Sequence, residues 1–110
     1  SQVILNVLSN AKDIFQERKI SQPTINVEIK SGENYAIVKI EDNAGGIKSE
    51  IIDKIFEPYF TTRHKTKGTG IGLYMSKNII ERNMNGFINV QNKNEGACFT
   101  IKVEKKSQED

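Results

Sequence analysis

TINVEIKSGENYAIVKIED, residues 24 to 42, decides the fold. Ile25, Val27 and Ile29 alternate with Asn26, Glu28 and Lys30, the two-residue period of a half-buried strand. SerGlyGluAsn at 31 to 34 supplies turn residues, and Ala36, Val38 and Ile40 then share one face of a second strand. The stretch therefore reads as an antiparallel hairpin.

Before this hairpin, SQVILNVLSNAKDIFQERK (1–19) sets Val3, Ile4, Val7, Leu8, Ala11, Ile14 and Phe15 at helical spacing, which predicts an amphipathic helix. After it, residues 48 to 67 carry no sustained period except a short helical piece near SEIIDKIF, with Ser49 as candidate cap. Helical spacing resumes from Gly70 to about Asn83, and Asn85 with Gly86 marks the stop. FINVQN and ACFTIKVE predict a second hairpin turned by LysAsnGluGly at 93 to 96, and KKSQED is a polar tail. Helix, hairpin, irregular loop, helix, hairpin is the order of an α+β two-layer sandwich, an antiparallel sheet with helices on one face.

At 110 residues the chain builds one domain around one core. Its formal charge of +2, with acids and bases mixed along the chain, forms no basic stripe, so nucleic acid is not an expected partner. No apolar stretch approaches the roughly 18 residues of a membrane span, so a soluble piece with no direct membrane contact is expected. The single Cys98 excludes an internal disulfide; it is expected in the core and suits a reducing compartment.

Four stretches carry chemistry. On the first helix, Asn6, Asn10, Asp13 and Glu17 stack in a polar stripe beside the apolar face. Asn is a middling to poor helix former, so the stripe is either a solvated edge or a place where carboxamide oxygens meet a hard cation such as Mg²⁺. EDNAGGI (41–47) ends the second strand in a tight turn, which can be only a turn or can hold a carboxylate against an exocyclic amine. IFEPYFTTRHKTK (55–67) joins Phe56, Pro58, Tyr59 and Phe60 to Arg63, His64, Lys65 and Lys67. That is either a loop tacked down by aromatics or a cationic lid over a phosphorylated ligand. GTGIGL (68–73) bares the N-terminus of the next helix, where anions are welcome, yet it matches neither the dinucleotide fingerprint nor the P-loop.

In this order the four resemble the nucleotide-binding boxes of the sensor histidine kinase catalytic domain, in the superfamily that also holds type II topoisomerases, heat-shock chaperones and mismatch-repair ATPases. QVILNVLSNAKDIF looks like the N box, DNAGGI the G1 box, IFEPYFTT the F box and GTGIGLYMSKNII the G2 box, while GFINVQNKNEGACFTIKV resembles the terminal hairpin. The likeness runs from residue 2 to about 104. It implies a Bergerat-type ATP-binding fold with a mixed, mostly antiparallel sheet and a mobile ATP lid. The implied domain covers residues 1–106, N-terminally truncated, with 107–110 as tail.

The resemblance also implies roles. Asn10 would be the Mg²⁺ ligand, with Asn6 one turn earlier facing the triphosphate. Asp13, a nucleotide-binding candidate, holds the third place after Asn10, where lysine is common in the family. Asp42 would take the adenine amine, with Gly46 letting the ring sit close and Ile47 beside it. Phe56 and Phe60 would anchor the lid, Arg63 and Lys67 would supply its charge, and Gly68, Thr69, Gly70, Ile71, Gly72 and Leu73 would form its hinge and phosphate cradle.

Asn6 separates branches of the superfamily, because ATP-hydrolysing relatives place a glutamate base there and a carboxamide takes no proton near neutral pH. The expected chemistry is therefore transfer of the γ-phosphoryl of Mg·ATP to a histidine. His64 lies in the predicted lid, and no stretch resembles the phosphoacceptor helix, so the resemblance implies an acceptor in a separate dimerisation and phosphoacceptor domain of the same parent, with a response regulator receiver domain downstream. A cytoplasmic location is implied, whether or not the parent is membrane-anchored. The rival readings are an anti-sigma-type serine kinase and an ATP-binding pseudokinase or sensing module.

Overall fold

The computed structural model describes residues 2–58 and 72–105. The periodic first segment forms α1 (Gln2–Arg18), with Val3, Val7 and Ala11 buried along one stripe. The opening hairpin forms β1 (Ile25–Ser31) and β2 (Tyr35–Asp42), closed by a 2.8 Å bond from the Gly32 amide to the Tyr35 carbonyl. A single 3₁₀ turn at Ile52–Lys54 follows. Ser49 does not cap it: its hydroxyl donates to Glu50 Oε1 at 3.3 Å, and the turn is closed instead by the Lys54 amide donating to the Ile51 carbonyl at 2.8 Å.

The second helical segment is α2 (Gly72–Asn78), which runs on into a π-helical turn at Ile79–Asn83. Its predicted start at Gly70 lies outside the described residues. Its predicted stop is present: Asn85 adopts φ 50°, and the Gly86 amide reaches back to the Ile80 carbonyl at 3.0 Å. A left-handed residue after the last turn, with a bond back across it, satisfies otherwise orphaned carbonyls. β3 (Phe87–Lys93) and β4 (Gly96–Glu104) close the chain through a two-residue turn.

The four strands stand in the order β1-β2-β4-β3, and all three pairings are antiparallel. Ile40 faces Phe99 and Val38 faces Ile101 across β2 and β4, while Ile88 and Val90 face the same two residues from β3. Because side chains of paired residues share a face, this set forms one apolar surface, on which Val3 and Val7 of α1 and Ile80 of the π-helical turn settle. Cys98, one residue out of phase with Phe99, is nevertheless buried, as expected.

The half-buried face predicted for β1 is corrected by the structure. Only Ile25 is partly covered, while Val27 and Ile29 remain 51% and 66% exposed. They pair with Ile40 and Val38 and so point to the helix side, but β1 is the outer strand and the core helices settle over the inner ones. Period alone distinguishes two faces of a strand; it does not say whether a second layer reaches that far.

Candidate functional site

Asp42, the last residue of β2, accepts two backbone hydrogen bonds on one carboxylate oxygen. The Ala44 amide donates to Oδ1 at 3.0 Å and the Ala97 amide at 3.1 Å. The first bond is the turn closing on its own side chain, and the second comes from β4 passing directly beside it. A carboxylate has two oxygens with several acceptor positions, so the fixed Oδ1 orients the group and leaves acceptor capacity for a ligand donor.

That approach of β4 requires Gly96. A Cβ there would overlap the Asp42 carbonyl and come within 2.8 Å of its Oδ1. The turn after Asp42 makes a different demand, since Gly45 and Gly46 take φ +103° and +82°, a region L side chains rarely adopt. Asn43 ties the same turn to the segment before β1, receiving the Thr24 amide and donating to the Gln22 carbonyl, each at 2.9 Å.

Asp42 opens onto a cleft of about 120 Å³ between α1, the 42–47 turn and the start of α2. Asn10, Arg18 and Asp42 give it polar corners, and Ile14, Ile47, Leu73 and Phe99 are among its apolar walls. Apolar walls with a few convergent polar groups are the usual make-up of a small-molecule site.

Of the residues implied by the sequence, Asn10, Asp42, Gly46, Ile47 and Leu73 meet in this cleft. Asp13 is not among those lining it. Asn6 faces the other helix: its amide nitrogen donates to the Ser76 hydroxyl at 3.0 Å and the Gly72 carbonyl at 3.2 Å, and its oxygen accepts from Gln2 at 3.1 Å. Phe56 leaves the loop to pack edge-on against Phe99, with ring centroids 6.3 Å apart at 87°, and the Lys77 ammonium sits 5.7 Å from its ring centre. Phe60, Arg63, His64, Lys67, Gly68, Thr69, Gly70 and Ile71 lie outside the described residues.

Sequence reasoning missed Arg18 and Asn92. Arg18 falls four residues after Ile14, itself four after Asn10, so the stripe into the cleft runs along that i, i+4 line rather than through Asp13 and Glu17. Asn92 carries no local signal, because it acts on the 42–47 turn from across the sheet.

The family model described as histidine kinase-, DNA gyrase B-, and HSP90-like ATPase matches residues 1–107. The chain belongs to this family. Within it, the chain is 42% identical over 103 residues to the sensor histidine kinase ZraS of Salmonella typhimurium, covering 92% of this chain and 21% of that protein. It is 36% identical over 105 residues to the two-component sensor PprA of Pseudomonas aeruginosa, covering 93% of this chain and 11% of that protein. The solved catalytic domain of the histidine kinase ThkA superposes with a TM-score of 0.79 at 30% identity, over 96% of this chain and 67% of that one. The fold is therefore that of a histidine kinase catalytic domain, and the chain spans about a tenth to a fifth of these two curated relatives. No helix among the described residues is long and apolar enough to cross a membrane.

Proposed function

We propose that the cleft binds the adenine end of Mg·ATP and that the domain, residues 1–106 with 107–110 as a tail, donates the γ-phosphoryl group to a histidine of a separate dimerisation and phosphoacceptor domain in the same parent protein. The observation that carries this is the state of Asp42. Its Oδ1 is held by two amides inside an apolar cleft, which orients the carboxylate to accept a hydrogen bond from an exocyclic amine.

The other residues fit the same ligand. Gly46, held at φ +82°, lets the turn present backbone at the wall beside Asp42, its missing side chain lying on the Asn92 side rather than in the cleft. Asn10 is on α1 in the same cleft, one helical turn before Ile14, where its carboxamide oxygen can hold Mg²⁺. Such an ion is usually bound by one or two protein groups together with waters and substrate phosphates, and it would supply charge neutralisation at the phosphates. Ile14, Ile47 and Leu73 exclude water from the ring's faces.

Asn6 bears on what happens to the phosphoryl group. Both ends of its amide are engaged within the chain and neither can take a proton from water. Without a base at that position, positioning and charge neutralisation favour a protein acceptor. The bond from the γ-phosphorus to the bridging oxygen breaks, ADP departs, and a bond from phosphorus to the acceptor imidazole nitrogen forms. A response regulator receiver domain would take the group next, and the domain would work in the cytoplasm.

Titration calorimetry of the chain with Mg·ATP tests the reading. Binding that is weakened with Asp42→Asn supports it, and absence of ATP binding by the unaltered chain refutes it.

A further inference from the structure

Between Asp42 and Ile47 the turn that forms one wall of the cleft is held by side chains that come from elsewhere. The Arg18 guanidinium, at the end of α1, donates from Nη1 to the Ala44 carbonyl at 2.7 Å and to the Gly46 carbonyl at 3.0 Å. The Gly45 amide donates to the Glu95 carbonyl at 2.8 Å. Asn92 of β3 makes a two-bond ring with one residue: the Ile47 amide donates to Asn92 Oδ1 at 2.7 Å, and Asn92 Nδ2 donates to the Ile47 carbonyl at 2.7 Å.

A carboxamide paired with both polar groups of one residue does what a neighbouring strand would do. Here it is needed, because Gly45 and Gly46 with positive φ turn the chain away from the ladder and leave Ile47 beyond the last β2–β4 pairing, which joins Glu41 to Cys98. Asn92 also occupies the place into which a Gly46 side chain would project, with Oδ1 2.8 Å from that position. Asn92 is not itself part of the cleft lining, whereas Gly46, Ile47 and Arg18 are.

We infer that Asn92 is a positioning residue for base recognition: its two bonds to Ile47, with Arg18 as the second clamp, fix the 42–47 turn against Asp42 and so set the preference for a base carrying an exocyclic amine. The inference rests on the nucleotide reading above. A turn with its backbone groups tied pays little ordering entropy when a ring docks, and it keeps a constant distance between the Asp42 carboxylate and the opposite wall. Loosening the turn weakens a ligand that must satisfy both, and affects far less a ligand that cannot use Asp42 at all.

The experiment compares Mg·ATP with Mg·ITP, which carries a carbonyl where adenine carries its amine, by calorimetry on the unaltered chain, Asn92→Ala and Asn92→Asp. The unaltered chain should prefer ATP. Asn92→Ala should bind ATP about five- to tenfold more weakly, the equivalent of one or two lost neutral hydrogen bonds, with ITP nearly unchanged, so that the preference falls. Asn92→Asp keeps shape and acceptor but loses the donor and sets a carboxylate against the Ile47 carbonyl, so it should behave like Ala. Exchange of the Ile47 amide with solvent should quicken in Asn92→Ala while the core strands keep their protection.

An equal fall for ATP and ITP, unchanged affinities, or an Asn92→Asp chain that matches the unaltered one would overturn the inference and leave the nucleotide reading standing. Failure of the unaltered chain to bind ATP would overturn both. Should Asn92→Ala not fold, Asn92→Asp carries the test, and full preference for ATP there refutes the clamp.

Discussion

The amide of Asn6 and the hydroxyl of Ser76 are joined by a 3.0 Å hydrogen bond that fastens α1 to the helix following the glycine-rich segment. Ser76 is wholly buried and passes its own hydrogen to the Gly72 carbonyl four residues earlier at 2.9 Å, to which Asn6 also donates. Gly72, Ser76 and Asn6 thus form a closed polar triangle. Asn6→Ala and Ser76→Ala should each destabilise the chain by about 1 to 3 kcal/mol, because each leaves a partner group short of a bond away from water. Their effects should not add: a double-mutant cycle by urea unfolding should give a coupling of about 0.5 to 1.5 kcal/mol, and additive losses would mean that the bond contributes nothing of its own.

Asp42→Asn alters one atom and one charge. The carboxamide oxygen can still receive Ala44 and Ala97, so the turn should survive, but the amide nitrogen then faces the ligand amine donor to donor. ATP should bind about 1.5 to 3 kcal/mol more weakly, the value of a charge-assisted bond in a water-poor site. Unchanged affinity by calorimetry would remove Asp42 from the site.

How far the sequence could be read follows from the range of each interaction. α1, both hairpins and the Asn85–Gly86 stop are local patterns, and all four are present in the structure. The burial of β1 was misjudged because coverage of Val27 and Ile29 depends on where a helix lies in the other layer. Among the residues lining the cleft, Asn10, Asp42 and Gly46 are visible in short motifs. Arg18 was within reach of a stricter i, i+4 count along α1. Asn92 was not, since its partner is 45 residues away in the chain and meets it only after β3 has joined the sheet. Asn6 is visible in the sequence as a polar residue beside the apolar stripe, but its contacts with Ser76 depend on how two helices dock.

Gly96→Ala should damage fold and site together. The new methyl group would meet the Asp42 backbone on one side and its carboxylate on the other, and backbone cannot swing aside as a flexible side chain can. Overpacking of this kind costs typically 1 to 3 kcal/mol and more where backbone is displaced, so a loss of at least about 2 kcal/mol is expected by denaturant unfolding. ATP affinity should fall in parallel, since the Ala97 amide that holds Asp42 Oδ1 is the next residue. A variant as stable as the unaltered chain would show that β4 can draw back from β2 without cost.

Asn10→Ala tests the metal reading apart from base recognition. Asn10 shares the cleft with Asp42 but lies on the opposite element, α1, and alanine is the better helix former, so the helix itself should persist in far-UV circular dichroism. Because Asp42 and the apolar walls remain, ATP without metal should bind the variant about as it binds the unaltered chain. The difference should appear only when magnesium is added: if Asn10 holds the ion, magnesium should tighten ATP binding to the unaltered chain and do little for Asn10→Ala. Calorimetric titrations with and without magnesium separate the two effects. A variant that still gained affinity with magnesium would assign the ion to some other group, whereas one that lost metal-free binding as well would place Asn10 against the base or ribose rather than the metal.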